Sequence, residues 1–306
     1  MTSATTNERP ATTFVISITP FTASGEFDEQ AIRGHFRRLA AAGIGVYVGG
    51  SGSGEGYTLS PAESRRLVEL AVDELKGKVP VRSMGVEPRT AQQMIDFISI
   101  VTDVGVDATQ IYSLDVGHAH LPEPAAIERY LRDVLEQTKI PCVISTHQSV
   151  GYKIPAELLG ALVGEYEQIV GINCSFADMR FLRDIIDAVD GRADIHVGGE
   201  MSGLAAMAFG ATGFLSSPAN LVPELAVAVV DRRNAGDLAG CFDAFDRLNR
   251  VGGVLYGHGG ILATKAVLNH LGLPGGYPRL PHLPVPPELA ADLATAIDKL
   301  GVTPTA

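Results

Sequence analysis

Three short strings of the chain, Ser145-Thr-His147, Asn173-Cys174-Ser175 and Gly198-Gly-Glu200, carry the polar side chains best suited to chemistry. Each closes an apolar, β-rich run, and in parallel α/β architectures the carboxyl ends of strands are where reactive groups gather. An imidazole titrates near neutrality, so His147 suits general acid or base work. Glu200 suits a partner carboxylate or a second acid-base group, and equally a helix-start carboxylate favoured by the helix dipole. Ser145 and Asn173 offer neutral hydrogen bonds to a developing oxyanion, each worth about 3 kcal/mol in a preorganised site. His118-Ala-His120, with His147 and Glu200, could give nitrogen and oxygen ligands to a divalent metal acting as a Lewis acid, although the spacing matches no recognised ligand signature. No other cofactor is expected.

Period-two alternation sorts these residues by direction. Ser145 and His147 share one side of their strand, as do Asn173 and Ser175, and as do His196, Gly198 and Glu200. Cys174 then points the other way and reads as a small buried residue rather than a nucleophile.

The elements that must position these groups repeat. Strands are expected at Thr13 to Phe21, Gly43 to Gly50, Val79 to Val86, Ala108 to Leu114, Pro141 to His147, Ile169 to Ser175, Asp194 to Gly199 and Thr212 to Ser217, each followed by a helical pattern. The first helix spans Glu26 to Ala42; the second starts at Ser60, whose Ser-Pro-Ala-Glu63 has the form of a capping box, and another starts near Asp178. Eight such units in about 225 residues favour an α/β fold, a closed (β/α)8 TIM barrel over residues 12–236. A C-terminal helical extension, residues 237–306, would pack on the barrel through helices at Leu238 to Leu271 and Pro287 to Leu300. Residues 1–11 read as a disordered tail.

Composition narrows the partners. The net charge of −11 gives no basic patch for nucleic acid or anionic lipid, and no run of about 18 apolar residues could span a bilayer. Three cysteines without a CxxC pair argue against a disulfide framework and fit a reducing cytoplasm. The run Gly50 to Glu55 lacks the lysine of a Walker loop and only partly meets the dinucleotide frame. It reads as a flexible turn or, at the end of a barrel strand, as a cradle of N–H groups for a carboxylate.

Taken together, Ile18-Thr-Pro-Phe21, Gly50 to Glu55 with Thr58-Leu59-Ser60 and Glu63, Gly171-Ile172, Gly198-Gly-Glu200, Gly210-Ala-Thr-Gly213 with Ser217-Pro-Ala-Asn220, and Lys265 to Gly272 resemble the dihydrodipicolinate synthase and N-acetylneuraminate lyase family, over nearly the whole chain. The resemblance implies an oligomer, dimer or tetramer, that binds a small 2-oxo acid with its carboxylate at Gly52 and Ser53. Thr19, Ser175 and Ser217 would lie around the same pocket, and Glu55 would tie down the glycine loop. In the family a lysine ending the sixth strand forms a Schiff base and a tyrosine ending the fifth relays protons. Those positions here are Asn173 and Ser145, and an amide cannot form an imine. The strand-five arginine and the tyrosine pair after strand four are likewise unmatched in Gln148 to Gly151 and Leu114 to Val116. Of the lysines, only Lys153 lies where it could approach the mouth.

The reading that follows is a lyase or hydratase acting on a small 2-oxo acid or related carboxylate without a lysine Schiff base. Its alternatives are a non-catalytic ligand-binding pseudoenzyme and a metal-assisted aldolase. A decayed site drifts toward apolar residues, whereas Ser145, Thr146, His147, Gln148, Asn173, Ser175 and Glu200 make one hydrogen-bonding set, which favours the enzyme.

Overall fold

In the computed structural model, which describes residues 9–305, each of eight strands pairs in parallel with the next and the last returns to the first. The strands are β1 (Thr12–Ile16), β2 (Gly45–Val48), β3 (Val81–Ser83), β4 (Ala108–Ile111), β5 (Cys142–Thr146), β6 (Ile169–Cys174), β7 (Asp194–Gly198) and β8 (Gly213–Ser216). Between them run α1 (Glu29–Ala42), α2 (Pro61–Leu75), α3 (Ala91–Val101), α4 (Pro124–Gln137), α5 (Ala156–Glu165), α6 (Met179–Val189) and α7 (Gly203–Phe209), and α8 (Pro223–Asn234) follows β8. This is the TIM barrel that the alternating pattern requires.

Capping fixes where the helices begin. Ser60 accepts from the Glu63 N–H while the Glu63 carboxylate reaches back to the Ser60 N–H, and Asp178 accepts from the N–H groups of Arg180 and Phe181. The first helix starts three residues later than its periodicity suggests. Phe27 pairs with Phe21 as an isolated bridge and Asp28 caps the helix, so Glu26 to Asp28 belong to a turn.

Strands stop earlier than their apolar runs because side chains capture the outgoing backbone. Asn220 accepts from the Ile18 N–H and donates to the Ile16 carbonyl. The hydroxyls of Tyr130 and Tyr152 donate to the carbonyls of Tyr112 and Leu114. The ends of β1 and β4 are thereby bent into loops over the mouth.

The extension comprises α9 (Leu238–Tyr256), α10 (Ile261–His270) and α11 (Pro287–Asp298). The single helical stretch expected from Leu238 to Leu271 breaks at Gly257 to Gly260, where Gly259 and Gly260 take φ values of 93° and 60°. Leu248, Val251 and Leu255 join the barrel's own apolar core. Of the expected tail, residues 1–8 lie outside the described residues. Arg9 to Ala11 instead dock on the barrel: Arg9 pairs with Asp194, and Ala11 exchanges hydrogen bonds with Asn234. No helix among the described residues is long and apolar enough to cross a membrane.

Candidate active site

Register places Ser145, Asn173 and His196 side by side on β5, β6 and β7. Alternation then turns Tyr47, Arg82, Gln110, Ser145, Asn173 and His196 toward the barrel axis and Cys174 toward the helices. Cys174 is buried and burial pushes its thiol up, as suits an unreactive residue.

The floor of the barrel is a closed polar network. Asn173 is 3% exposed, and its Nδ2 donates to Gln110 Oε1 at 2.7 Å and to Tyr47 Oη at 3.1 Å. Tyr47 Oη also accepts from Arg82 Nη1 at 2.9 Å. Tyr47, Gln110 and Asn173 come from even strands, and Phe14, Arg82 and His196 from odd ones, the alternating layers of a barrel interior. The Arg82 guanidinium lies 4.2 Å from the Phe14 ring centroid and, among the described residues, is paired with no carboxylate. Gly45 makes room for that ring, since a β-carbon there would lie 2.5 Å from it. Below, His196 Nε2 meets Thr12 Oγ1 at 2.8 Å; burial, with the Arg82 charge adding to it, holds the imidazole down to about 3.

With both amide protons on protein oxygens, Asn173 has none left for a substrate oxyanion; its free atom is Oδ1, buried and without a partner. Ser145 is buried beside it, and its carbonyl accepts from Ser113 Oγ.

One layer higher the mouth is open. His147 is half-buried, its Nδ1 is 2.5 Å from Ser149 Oγ, and that hydroxyl donates to Glu87 Oε1 at 3.1 Å. Glu87 Oε2 accepts from Ser51 Oγ at 2.5 Å, so one carboxylate joins the glycine loop to the imidazole. Burial lowers the His147 pKa and the Glu87 charge opposes it. The Tyr112 ring stands edge-on to the imidazole at 6.4 Å, its own hydroxyl pushed up by burial.

The loop 50–55 is pinned from beneath. Glu55 sits at φ 50°, fully buried, with Lys265 bonded to its carboxylate and to the carbonyls of Thr19 and Tyr277. Thr19 Oγ1 donates to the Gly54 carbonyl at 2.7 Å, so Thr19 supports the loop from within. Above that anchor the N–H groups of Gly52 and Ser53 have no acceptor among the described residues, as an anion cradle requires. Ser53 Oγ and Ser217 Oγ meet at 2.8 Å. Ser175 Oγ accepts from the Gln148 N–H at 3.2 Å.

Two expected groupings are not assembled. Glu200 does not partner His147: it is buried against α9, where a β-carbon on Gly252 would lie 2.9 Å from its Oε1, and burial raises its pKa. The carboxylate beside His147 is Glu87, at 3.7 Å from Nδ1. His118 and His120 are exposed on the loop after β4, where His118 and Ala119 have φ near 50° to 60°, and no three His, Cys, Asp or Glu side chains gather among the described residues as a metal ion would need. The set His118, His120, His147 and Glu200 therefore does not fit a metal. Lys153 is turned away onto Asp178, with its ammonium 4.9 Å from the Phe181 ring centroid.

Sequence reasoning missed Tyr47, Arg82, Gln110, Glu87 and Ser149. Arg82 carried a signal, a charge at an inward position of a short strand. Glu87 and Ser149 lie on loops and carried none.

Known proteins place this architecture. A model of the dihydrodipicolinate synthetase family matches residues 9–300. The 4-hydroxy-tetrahydrodipicolinate synthase of Methanopyrus kandleri is 28% identical over 289 residues, 94% of this chain and 95% of that one. That of Natronomonas pharaonis is 29% identical over 226 residues, covering 73% and 75%. Among solved structures, a dihydrodipicolinate synthase from Bacillus anthracis superposes with a TM-score of 0.85 at 24% identity, covering 95% and 98% of the two chains. A prophage protein of E. coli K12, solved with pyruvate, gives 0.86 at 21% identity over 96% and 99%. The chain belongs to the dihydrodipicolinate synthetase family, a family of aldolase-like lyases.

Proposed function

We propose that this protein is a lyase or hydratase for a small 2-oxo acid or a related carboxylate, working without a covalent imine. The observation that carries this reading is residue 173, where the resemblance puts the imine-forming lysine. An asparagine stands there with its amide protons held by Tyr47 and Gln110. No other lysine replaces it. Lys265 is locked to Glu55, Lys153 to Asp178, the ammonium groups of Lys76, Lys78 and Lys139 bond backbone carbonyls, and Lys299 is exposed at the end of α11.

The free N–H groups of Gly52 and Ser53 suit the substrate carboxylate. His147, half exposed and hydrogen-bonded at one nitrogen only, suits the proton transfer that enolisation or dehydration needs. Charge developing on the former keto oxygen would meet the mouth hydroxyls and the field of Arg82 from beneath. Such preorganised dipoles stabilise an enolate by a few kcal/mol, less than an iminium does, so turnover slower than that of an imine-forming relative is expected.

Borohydride reduction in the presence of pyruvate, followed by mass spectrometry of the intact chain, tests the non-covalent step. No added mass is expected, together with turnover of at least one compound in a panel of 2-oxo acids and their aldol or dehydration products, followed by NMR. A reduced adduct on any lysine would overturn the proposal.

A further inference from the structure

The contacts around His147 determine which of its nitrogens acts, and this deepens the lyase reading, on which its catalytic consequence rests. We infer that Glu87 is a positioning residue: acting through the Ser149 hydroxyl, it fixes the proton of the neutral His147 imidazole on Nδ1 and leaves Nε2 as the base that faces the substrate.

The inference is a count of protons. Ser149 Oγ carries one. It lies 3.1 Å from Glu87 Oε1 and 2.5 Å from His147 Nδ1. As a carboxylate Glu87 only accepts, and its other oxygen already receives the Ser51 hydroxyl proton at 2.5 Å. The Ser149 proton therefore lies toward Glu87. An Nδ1 to Oγ approach of 2.5 Å with no proton between would set two lone pairs against each other, so the proton of that contact comes from the imidazole, as Nδ1–H. One donor competes: the Ser149 N–H lies 3.2 Å from the same Nδ1 and would suit the other tautomer. It is the longer contact, and it is neutral where the relay ends in a charge, which makes charge-assisted bonds roughly twice as strong.

The ring is also held in place. The His147 N–H donates to Ser113 Oγ at 3.1 Å, and Glu87 and Tyr112 are the titratable groups that face the imidazole among the described residues. The Tyr112 hydroxyl donates to Met84 Sδ at 3.9 Å, so its proton is not directed at the ring. Nε2 has no partner among the described residues, and the imidazole is half exposed on the side of the mouth. Base, hydroxyl and carboxylate thus form a nucleophile-free version of the base-and-orienter arrangement, with a serine between the two usual partners.

The test is nitrogen-15 NMR of the imidazole in the ligand-free, full-length protein. Wild type is expected to show neutral His147 protonated at Nδ1. Glu87→Gln removes the charge and introduces a side-chain amide that can donate to Ser149 Oγ, which sends the hydroxyl proton back to Nδ1. That variant should move the imidazole proton to Nε2 and lower the His147 titration midpoint; Ser149→Ala, which keeps the carboxylate but cuts the relay, should also move the tautomer. In turnover assays Glu87→Gln should lower kcat by about 10²- to 10⁴-fold, the range that general acid–base catalysis contributes, with KM little changed, and Glu87→Asp should recover part of the loss. A wild-type imidazole protonated at Nε2, or a tautomer indifferent to both substitutions, would overturn the inference. The expected tautomer shifts in a protein that turns over nothing on the panel would uphold it and overturn the lyase reading instead.

Discussion

The floor of the barrel and its mouth are one layer of side chains apart on the same strands, yet they hold polar groups in opposite ways. On the floor, Arg82, Tyr47, Asn173 and Gln110 bond to one another and are sealed from water. At the mouth, His147, Ser149 and Glu87 bond to one another across two loops and keep one nitrogen toward solvent. Position 173, the natural place to seek chemistry, belongs to the floor. On the lyase reading the chemistry lies one layer up, and the floor holds a buried charge and its hydrogen-bonded frame.

The largest effect that separates the two layers is acid stability. His196 on the floor and His35, bonded to Asn220 behind β1, are both driven by burial from an ordinary 6.5 down to about 3. Below pH 6.5 the unfolded chain takes up these protons and the folded chain does not. Stability therefore falls as pH falls, by about 1.4 kcal/mol per pH unit for each fully neutral histidine. Urea unfolding at pH 6.5 and at pH 4.5 should differ by roughly 5 kcal/mol for the pair, before Glu63 and Glu74, held down to about 2 by Arg279 and Arg37, begin to add to the loss. A flat profile in that window would mean that the floor admits water or a proton, and the contrast with the mouth would fail.

Next in size is the anchor of the mouth. Lys265 and Glu55 are 1% and 0% exposed, and burial pulls the ammonium down while Glu55 pulls it up. Lys265→Met strands the Glu55 carboxylate, and breaking a buried pair in this way costs about 3–5 kcal/mol. The loss should appear in denaturant titration, and hydrogen exchange should rise first in residues 50–55. Exchange that rose equally on the floor would show the two layers to be a single cooperative unit.

How much of this was legible follows the same division. The barrel, the capping box at Ser60 and the helix start at Asp178 could be read because each rests on local periodicity or on contacts within four residues. The asparagine at the position where the resemblance expects a lysine was legible as one residue type, Asn173. The strand ends were read too long, because the apolar run continues past the point where Asn220, Tyr130 and Tyr152 capture the chain. The partner of His147 was not legible. Glu87 and His147 are 60 residues apart in sequence and meet only because the loops after β3 and β5 converge above the barrel, while Glu200, which alternation aims the right way, is buried against Gly252 of the extension. Sequence spacing reports direction along a strand; it does not report which loop folds over it.

The smallest effects compare two single substitutions within the floor. Tyr47→Phe removes the oxygen that accepts from both Arg82 and Asn173 and leaves two buried donors without an acceptor, one of them charged. A cost of about 2–3 kcal/mol is expected. Arg82→Met removes the charge itself. Its contact with the Phe14 face contributes up to about 2 kcal/mol, and the desolvation of an unpaired guanidinium offsets that, so stability should stay within about 1 kcal/mol of wild type. On the lyase reading, a guanidinium whose removal costs no stability acts through its field at the pocket above. Arg82→Met should then lower turnover while the melting temperature holds, whereas a loss of stability as large as that of Tyr47→Phe would make Arg82 a structural member of the floor and leave His147 and the mouth hydroxyls to stabilise the enolate unaided.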